Sequence, residues 1–254
     1  MSNSPTAAAR EALREHFGFD EFRGRQAEII TRLLEQPEGH ALVLMPTGGG
    51  KSLCYQLPAL IPPLADQGGT IVVSPLIALM QDQVEALQRR GIPADFINST
   101  VGAKERERRL AAFVAGEIKL LYVTPERFRK RDFVEQLRKT RIALFAVDEA
   151  HCISEWGGDF RPDYGRLGEF RALIGNPRTI ALTATATPEV QTDIVARLGL
   201  DSESTAVFHE GIDRPNLRLE ARDVISDEEK LKIIQRVLAS ANRSKNRGAG
   251  IIYF

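Results

Sequence analysis

Cysteine is scarce in this sequence: Cys54 and Cys152 stand far apart, and without a second pair they cannot complete a four-ligand zinc site. Both read as reduced thiols. No apolar run approaches the roughly 18 residues that a membrane-spanning helix requires, and the opening "MSNSPTAAAR" lacks the apolar block of a secretory signal, so a soluble, cytoplasmic protein is expected. An excess of charge is missing as well. Basic and acidic residues balance at 34 each, which excludes bulk attraction to a polyanion; any contact with nucleic acid has to come from a local groove. Internal repeats and low-complexity tracts are absent. What is present is a chain of 254 residues, 43% of them hydrophobic, enough for a globular domain with a sizeable core and the start of another.

Residues 6–17 and 23–35 carry apolar side chains at helical spacing, interrupted by "GFDEF", which predicts two helices joined by a turn. Short β-rich runs follow: "ALVLM", "TIVVS", "KLLYV", "RIALFAV" and "TIALT". Each is succeeded by a polar turn and mostly by a helical stretch such as Leu79 to Gln88, an alternation that predicts a parallel sheet covered by helices. Ligands of such sheets bind outside the carboxyl ends of the strands. Here "PTGGGKS", "SPL", "TPER", "DEAH" and "TATATP" all follow strands, so the site is expected along one edge. Near the end, "SANRSKNRGAG" reads as a polar linker and "IIYF" as a strand without partners. Residues 1–210 thus read as one domain, and 211–254 as a linker with the truncated beginning of a second.

"ALVLMPTGGGKSLCYQL" reads as strand, glycine loop and helix. In such a loop Thr47, Gly48, Gly49 and Gly50 turn backbone N–H groups towards phosphate oxygens, the helix start adds the positive end of its dipole, Lys51 reaches the terminal phosphates and Ser52 ligates magnesium. The strict spacing G-x-x-x-x-G-K-[ST] would place glycine where Met45 stands, so this is a looser form of the loop. "RIALFAVDEAH" supplies the complement: an apolar strand ending in Asp148, placed to hold magnesium directly or through water, and Glu149, placed to orient and deprotonate an attacking water. Alone, the first would be a glycine turn with a surface lysine and the second a polar strand end. Together they predict magnesium-dependent ATP hydrolysis. His151 reads as a hydrogen-bonding relay and Cys152 as packing. The same loop continues as "CISEWGGDFRPDYGRL", and rings spaced along a polar loop beside a phosphate site point to chemistry linked to nucleic acid.

Taken in order, "FGFDEFRGRQAEII", "MPTGGGKSLCYQLPAL", "SPLIALMQDQV", "YVTPERF", "DEAHCISEWG", "DFRPDY" and "ALTATATP" resemble the first motor domain of RecQ-type DNA helicases, from about Leu13 to Leu219. The resemblance implies a P-loop NTPase of RecA-like α/β fold, a mostly parallel sheet flanked by helices on both faces, with ATP and Mg2+ as cofactors and single-stranded and forked DNA as partners. It implies an adenine pocket in which Gln26 reads the base edge while Phe19, often tyrosine in the family, and Arg23 sandwich the ring. From the residues alone these three are helix-packing side chains. It also implies that Trp156, Phe160, Arg161 and Tyr164 sense single-stranded DNA, with buried packing as the alternative for Phe160 and Tyr164. Ser74 and Thr124 would hold DNA phosphates, and Thr183 and Thr185 would couple the γ-phosphate side to the DNA side. Helix capping is the alternative for all four. "KERERRL" reads as a solvated helix face. One departure stands in the sensing loop: the family usually reads W-G-H-D-F, and Gly158 occupies the histidine position, which removes a donor or acceptor and loosens the loop.

A motor of this type uses two lobes, because an arginine from the second completes the ATP cleft. By the resemblance, the second helicase domain, apart from its beginning, and the family's zinc module and winged helix are expected to lie outside this chain. The chain is therefore expected to bind ATP without unwinding. The resemblance places it in a 3′ to 5′ DNA helicase of recombination and repair, cytoplasmic, bacterial-type and nucleoid-associated. Two rivals share part of this reading: an RNA-dependent DEAH-type ATPase, which would lack the "CISEWG…DFRPDY" loop, and a nonenzymatic nucleotide-gated DNA-binding module.

Overall fold

Each β-rich run of the sequence lies on a strand, and the strands are apolar almost throughout because helices cover both faces of the sheet. A computed structural model describes residues 5–211 and 220–243. Seven strands are described: β1 (His40–Leu44), β2 (Gly69–Val73), β3 (Ala94–Ile97), β4 (Leu120–Val123), β5 (Ile142–Val147), β6 (Arg178–Thr183) and β7 (Thr205–His209). They pair in parallel in the order β3-β4-β2-β5-β6-β1-β7.

Alternating side chains on each strand feed two separate cores. Ala41 and Val43 of β1 join Ile29, Ile30, Leu33, Val84 and Leu87 on one face, whereas Leu42 and Leu44 join Phe113, Leu137, Phe170 and Ile194 on the other. The first face is built from α1 (Pro5–Ala12), α2 (Gln26–Glu35), α3 (Leu53–Gln56), the short α4 (Leu64–Gln67) and α5 (Ile77–Arg89). The second takes α6 (Ala103–Val114), α7 (Arg131–Arg138), α8 (Pro162–Gly165), α9 (Leu167–Leu173) and α10 (Pro188–Arg197).

Register fixes what the loops bring together. Val73 of β2 lies level with Val123 of β4 and Val147 of β5, while Leu44 of β1 lies level with Thr183 of β6 and His209 of β7. Thr124, Ser74, Asp148, Thr183, Met45 and Glu210 therefore line up along one carboxyl edge, in an order quite unlike their order in the chain.

Two strands escaped the sequence reading. "ADFI" (β3) carries an acid in a four-residue run, and that acid is half-sheltered by Arg109, 2.6 Å away, which also lies over the Phe96 ring at 4.6 Å. The "KERERRL" helix is thus not merely solvated, since its Arg109 is largely buried against the edge strand. "TAVFH" (β7) is the other edge strand, half-exposed along its length, and pairs only with β1 among the described strands.

At the opposite edge lies a basic, well-bonded cluster. The Thr179 N–H donates to His40 Nδ1 (3.1 Å), and Arg171 donates to Thr179 Oγ1 (2.8 Å), Asn176 Oδ1 (3.1 Å) and the Gly199 carbonyl (3.2 Å). Burial, reinforced by Arg171, Arg178 and Arg32, pushes His40 down to about 4.

The chain divides into two compact units, Met1–Ile212 and Asp213–Phe254. Within the second, α11 (Asp227–Arg243) opens on a side-chain cap: the Glu229 N–H donates to Ser226 Oγ (3.2 Å), and the Glu229 carboxylate reaches one residue further back to accept from the Ile225 N–H (3.1 Å). This helix runs on through "SANR", which corrects the linker reading there, because alanine and arginine sustain a helix and no glycine interrupts before Gly248. The rest of that stretch and "IIYF" lie outside the described residues.

Candidate nucleotide and nucleic-acid site

The glycine loop leaves β1 at Met45, whose N–H donates to the Thr183 carbonyl (3.0 Å). Gly48 and Gly50 turn it with φ of 82° and 83°, values that disfavour a side chain. A Cβ on Gly49 would come within 2.6 Å of Met45 Cγ, so the methionine that replaces the strict motif's glycine is packed under the loop and makes its middle glycine obligatory. Lys51 Nζ donates to the Met45 carbonyl (3.0 Å), an acceptor it must exchange to meet a phosphate. Ser52 is half-buried where α3 begins, and Thr47 is exposed on the loop.

Beside the loop is a cavity of about 250 Å³ lined by Phe17, Phe19, Arg23, Gln26, Gly50 and Ser52, together with Gln83 and Leu87 of α5 and Arg90 just past its end. Phe19 and Arg23 are exposed at its rim. Gln26 is buried: its amide nitrogen lies 3.2 Å from the carbonyls of both Gly49 and Gly50, and its oxygen accepts from the Arg23 N–H at 2.9 Å. Its amide thus braces the phosphate loop, and a base edge would have to share it. Arg90, 5.7 Å over the Phe17 ring, is a lining residue that the sequence reading missed; an arginine just past the end of an amphipathic helix carries no local signal.

Across β6 from the loop, Asp148 continues β5 with its N–H on the Val73 carbonyl (2.9 Å). Burial, with Glu149 adding to it, pushes its carboxyl up to about 6 against the opposing pull of the Glu149 N–H and Lys51. Glu149 sits at φ 50°, a strained conformation for a non-glycine residue that turns the acid out of strand direction. Its Oε2 lies 3.4 Å from His151 Nδ1, which lies 3.0 Å from Thr183 Oγ1. Since the Thr183 hydroxyl donates to the Thr185 carbonyl (3.0 Å), its oxygen accepts from the Thr185 N–H (3.2 Å) and from His151, and this places the ring proton on Nδ1. DEAH box and TATATP loop are thereby joined by one polar path. Capping does not explain these threonines, because the α10 cap is Thr187, whose side chain accepts from the Val190 N–H.

The aromatic loop divides. Trp156 is 79% exposed and, with Gly157, Gly158, His151 and Thr185, borders a second cavity of about 640 Å³. Gly157 is fixed by its surroundings, for a Cβ there would meet the His151 carbonyl at 2.7 Å, whereas a Cβ on Gly158 meets nothing within 4 Å. Phe160 is partly covered, with the Arg197 guanidinium 6.0 Å over its ring. Arg161 pairs with Asp159 at 2.9 Å, so a phosphate would share it with that acid. Tyr164 corrects the expectation of a DNA contact: it is fully buried and its hydroxyl donates to the Asp148 carbonyl (3.0 Å), which leaves it no face for a base and ties the loop to the acidic pair.

Ser74 and Thr124, level with each other at the ends of β2 and β4, are both buried, and Ser74 Oγ and Thr124 Oγ1 have no hydrogen-bond partner; nor has Arg127 Nε close by. Neither hydroxyl caps a helix. Cys152, His151 and Asp159 bring ligand atoms within 4.8 Å of one another, yet the Cys152 thiol, pushed up to about 12 by burial, donates to the Asp159 carboxylate that Arg161 already holds. Cys54 is likewise buried and raised to about 12.

A parallel sheet with a glycine loop after one strand and an acidic pair two strands away, both on one carboxyl edge, defines a RecA-like P-loop nucleotide-binding domain. The family model "DEAD/DEAH box helicase" matches residues 23–194, and the chain belongs to that family. It is 44% identical over 96% of its length to the ATP-dependent DNA helicase RecQ of Bacillus subtilis (strain 168), of which it covers 39%. To the RecQ of Haemophilus influenzae it is 41% identical over 98% of its length, covering 38%. The chain thus spans about two fifths of the length of these relatives. Among solved structures, the Pyrococcus furiosus Hef helicase domain superposes with a TM-score of 0.60 at 20% identity, covering 91% of this chain and 47% of that one, a likeness of fold. No described helix is long and apolar enough to cross a membrane.

Proposed function

We propose that residues 1–210 are the ATP-binding motor lobe of a RecQ-type 3′ to 5′ DNA helicase, and that 211–254 begin the passage to a second lobe, in a bacterial, nucleoid-associated protein of recombination and repair. The observation that carries this reading is the unbroken path Glu149–His151–Thr183–Thr185, which leads from the acid beside the phosphate loop to the cavity bordered by Trp156. The names of the relatives favour DNA over the RNA-dependent alternative.

In this reading Thr47 to Gly50 cradle the phosphates of ATP, Lys51 exchanges the Met45 carbonyl for the terminal phosphate, and Phe19, Arg23 and Gln26 line the base pocket. Ser52 and Asp148 form an all-oxygen donor pair suited to magnesium, and an acid lifted to about 6 gains from a cation beside it. Bound there, the ion would neutralise phosphate charge. Glu149 orients the attacking water and takes its proton; His151, 3.4 Å from its carboxylate and bonded to Thr183, passes its state to Thr183 and Thr185. On the other side, Trp156 stacks on a base and Ser74 and Thr124 offer unpartnered hydroxyls to the DNA backbone. The test is ATP hydrolysis by this chain and by the full-length protein, each with no nucleic acid, single-stranded DNA or RNA. Full-length turnover stimulated by DNA, with little from this chain, is expected; equal stimulation by RNA, or none by either, would refute it.

A further inference from the structure

Glu210 is the residue after β7, the strand that no sequence signal announced. Its N–H donates to the Leu44 carbonyl (2.8 Å), which fixes it beside the origin of the phosphate loop, and its carboxylate accepts from the Arg25 N–H at 2.6 Å. That carboxylate lies at the positive end of α2, where a negative charge is favoured. Gly24 makes room for it: a Cβ at position 24 would fall 1.8 Å from Glu210 Oε1, and Gly24 itself sits at φ 46°. Two residues before Glu210, on β7, Phe208 holds Arg25 by its other end, its ring 4.9 Å beneath the guanidinium. The next residue along α2 is Gln26, whose amide bonds the carbonyls of Gly49 and Gly50.

We infer that Glu210 is a positioning residue for the nucleotide: its carboxylate locks the start of α2 against the phosphate loop, and so sets how tightly the segment Phe19–Gln26 closes on the base. This rests on the ATP-binding reading above. Glu210 does not line the cavity beside the phosphate loop; its carboxylate acts through the Arg25 N–H and the adjoining Gln26. Lys51 bonds the Met45 carbonyl and the Gly49 N–H bonds the Pro46 carbonyl, neither of them through α2, so the effect of Glu210 falls more on the base than on the phosphates.

The test uses this chain and magnesium, with fluorescent ATP and GTP analogues titrated directly and inorganic tripolyphosphate as a competitor. Glu210→Ala should weaken the ATP analogue about tenfold, the scale of one lost charge-assisted hydrogen bond, narrow the preference for ATP over GTP, and leave tripolyphosphate within about twofold. Glu210→Asp, which keeps the charge but falls short of Arg25, should show an intermediate loss and guards against an unfolded alanine variant. Glu210→Gln, whose carbonyl oxygen still accepts from the Arg25 N–H, should restore most of the affinity. Gly24→Ala, which blocks the approach, should reproduce the alanine phenotype without adding to it in the double variant. Wild-type affinity in folded Glu210→Asp and Glu210→Ala overturns the inference, as does an equal loss for ATP and tripolyphosphate that glutamine fails to restore. Lys51→Ala runs beside them: if it too leaves nucleotide binding intact, the ATP site itself is misassigned, whereas its loss with unchanged Glu210 variants condemns the positioning role alone.

Discussion

The two ends of the same strand edge are built on different terms. Around β1 and β7 the chain satisfies its own polar groups: Lys51 on Met45, Gln26 on Gly49, Gly50 and Arg23, and Glu210 on Arg25. Around β2 and β4, Ser74 and Thr124 keep buried hydroxyls with no partner, and further along Trp156 stands exposed. A buried donor without an acceptor costs about 1–3 kcal/mol, which a sequence selected only for stability would remove. The difference teaches that the β1–β7 end is held together by bonds within the protein, while the β2–β4 end keeps bonding capacity in reserve, as the proposed contact with a DNA backbone requires.

The sharpest way to break the comparison is Glu149→Gln in the full-length protein. Hydrolysis should fall by about 10²–10⁴ while ATP affinity holds, since the amide keeps the shape and cannot accept a proton. Single-turnover hydrolysis beside nucleotide titration reads both, and a parallel fall in affinity would make Glu149 part of the fold of the site. Lys51→Ala should weaken ATP about thirtyfold or more, on the scale of about 2 kcal/mol for one partner of a desolvated charge pair, with DNA affinity unchanged. An equal loss of DNA binding by fluorescence anisotropy would show that the two ends are not separate. Trp156→Ala should act in the reverse sense, taking about 1–3 kcal/mol from single-stranded DNA binding at fixed low salt and nothing from ATP.

His40 sets a baseline far from both ends. Its folded value of about 4 lies below the usual 6.5, so between these limits the unfolded chain binds more protons; stability is complete above about pH 6.5 and is lost as pH falls towards 4. Chemical denaturation at a series of pH values should show this slope, and His40→Gln should flatten it; an unchanged slope would assign it to other groups. The smallest effect is expected from Ser74→Ala. Removing an unpartnered hydroxyl should raise the melting temperature slightly, by up to about 1 kcal/mol of stability, while weakening DNA. A loss of stability instead would mean that Ser74 serves the fold and leave the comparison without its strongest contrast.

How much of this was written in the chain depends on whether the signal was local. "PTGGGKS" and "DEAH" follow continuous apolar strands, and that context alone fixed their place on a parallel sheet's edge. Trp156, flanked by a glutamate and two glycines, could scarcely be buried, and it is not. Tyr164 lies in the same polar stretch eight residues on, yet is sealed beneath the Asp148 carbonyl, because burial is decided by which helix packs over the loop.

The sequence by itself determined the strand periodicity, the turn-forming glycines and the chemical types present at each strand end, since these follow from short-range sterics and the hydrophobic pattern. Only the tertiary structure decided their neighbours. Pairing β6 between β5 and β1 sets Thr183 between the acidic pair and the phosphate loop, and adding the unannounced edge strand β7 carries Glu210 across 185 positions to Arg25. Those contacts are hydrogen bonds between residues remote in the chain, and they come to exist when register brings a donor and an acceptor within about 3 Å, a fact that no local spacing encodes.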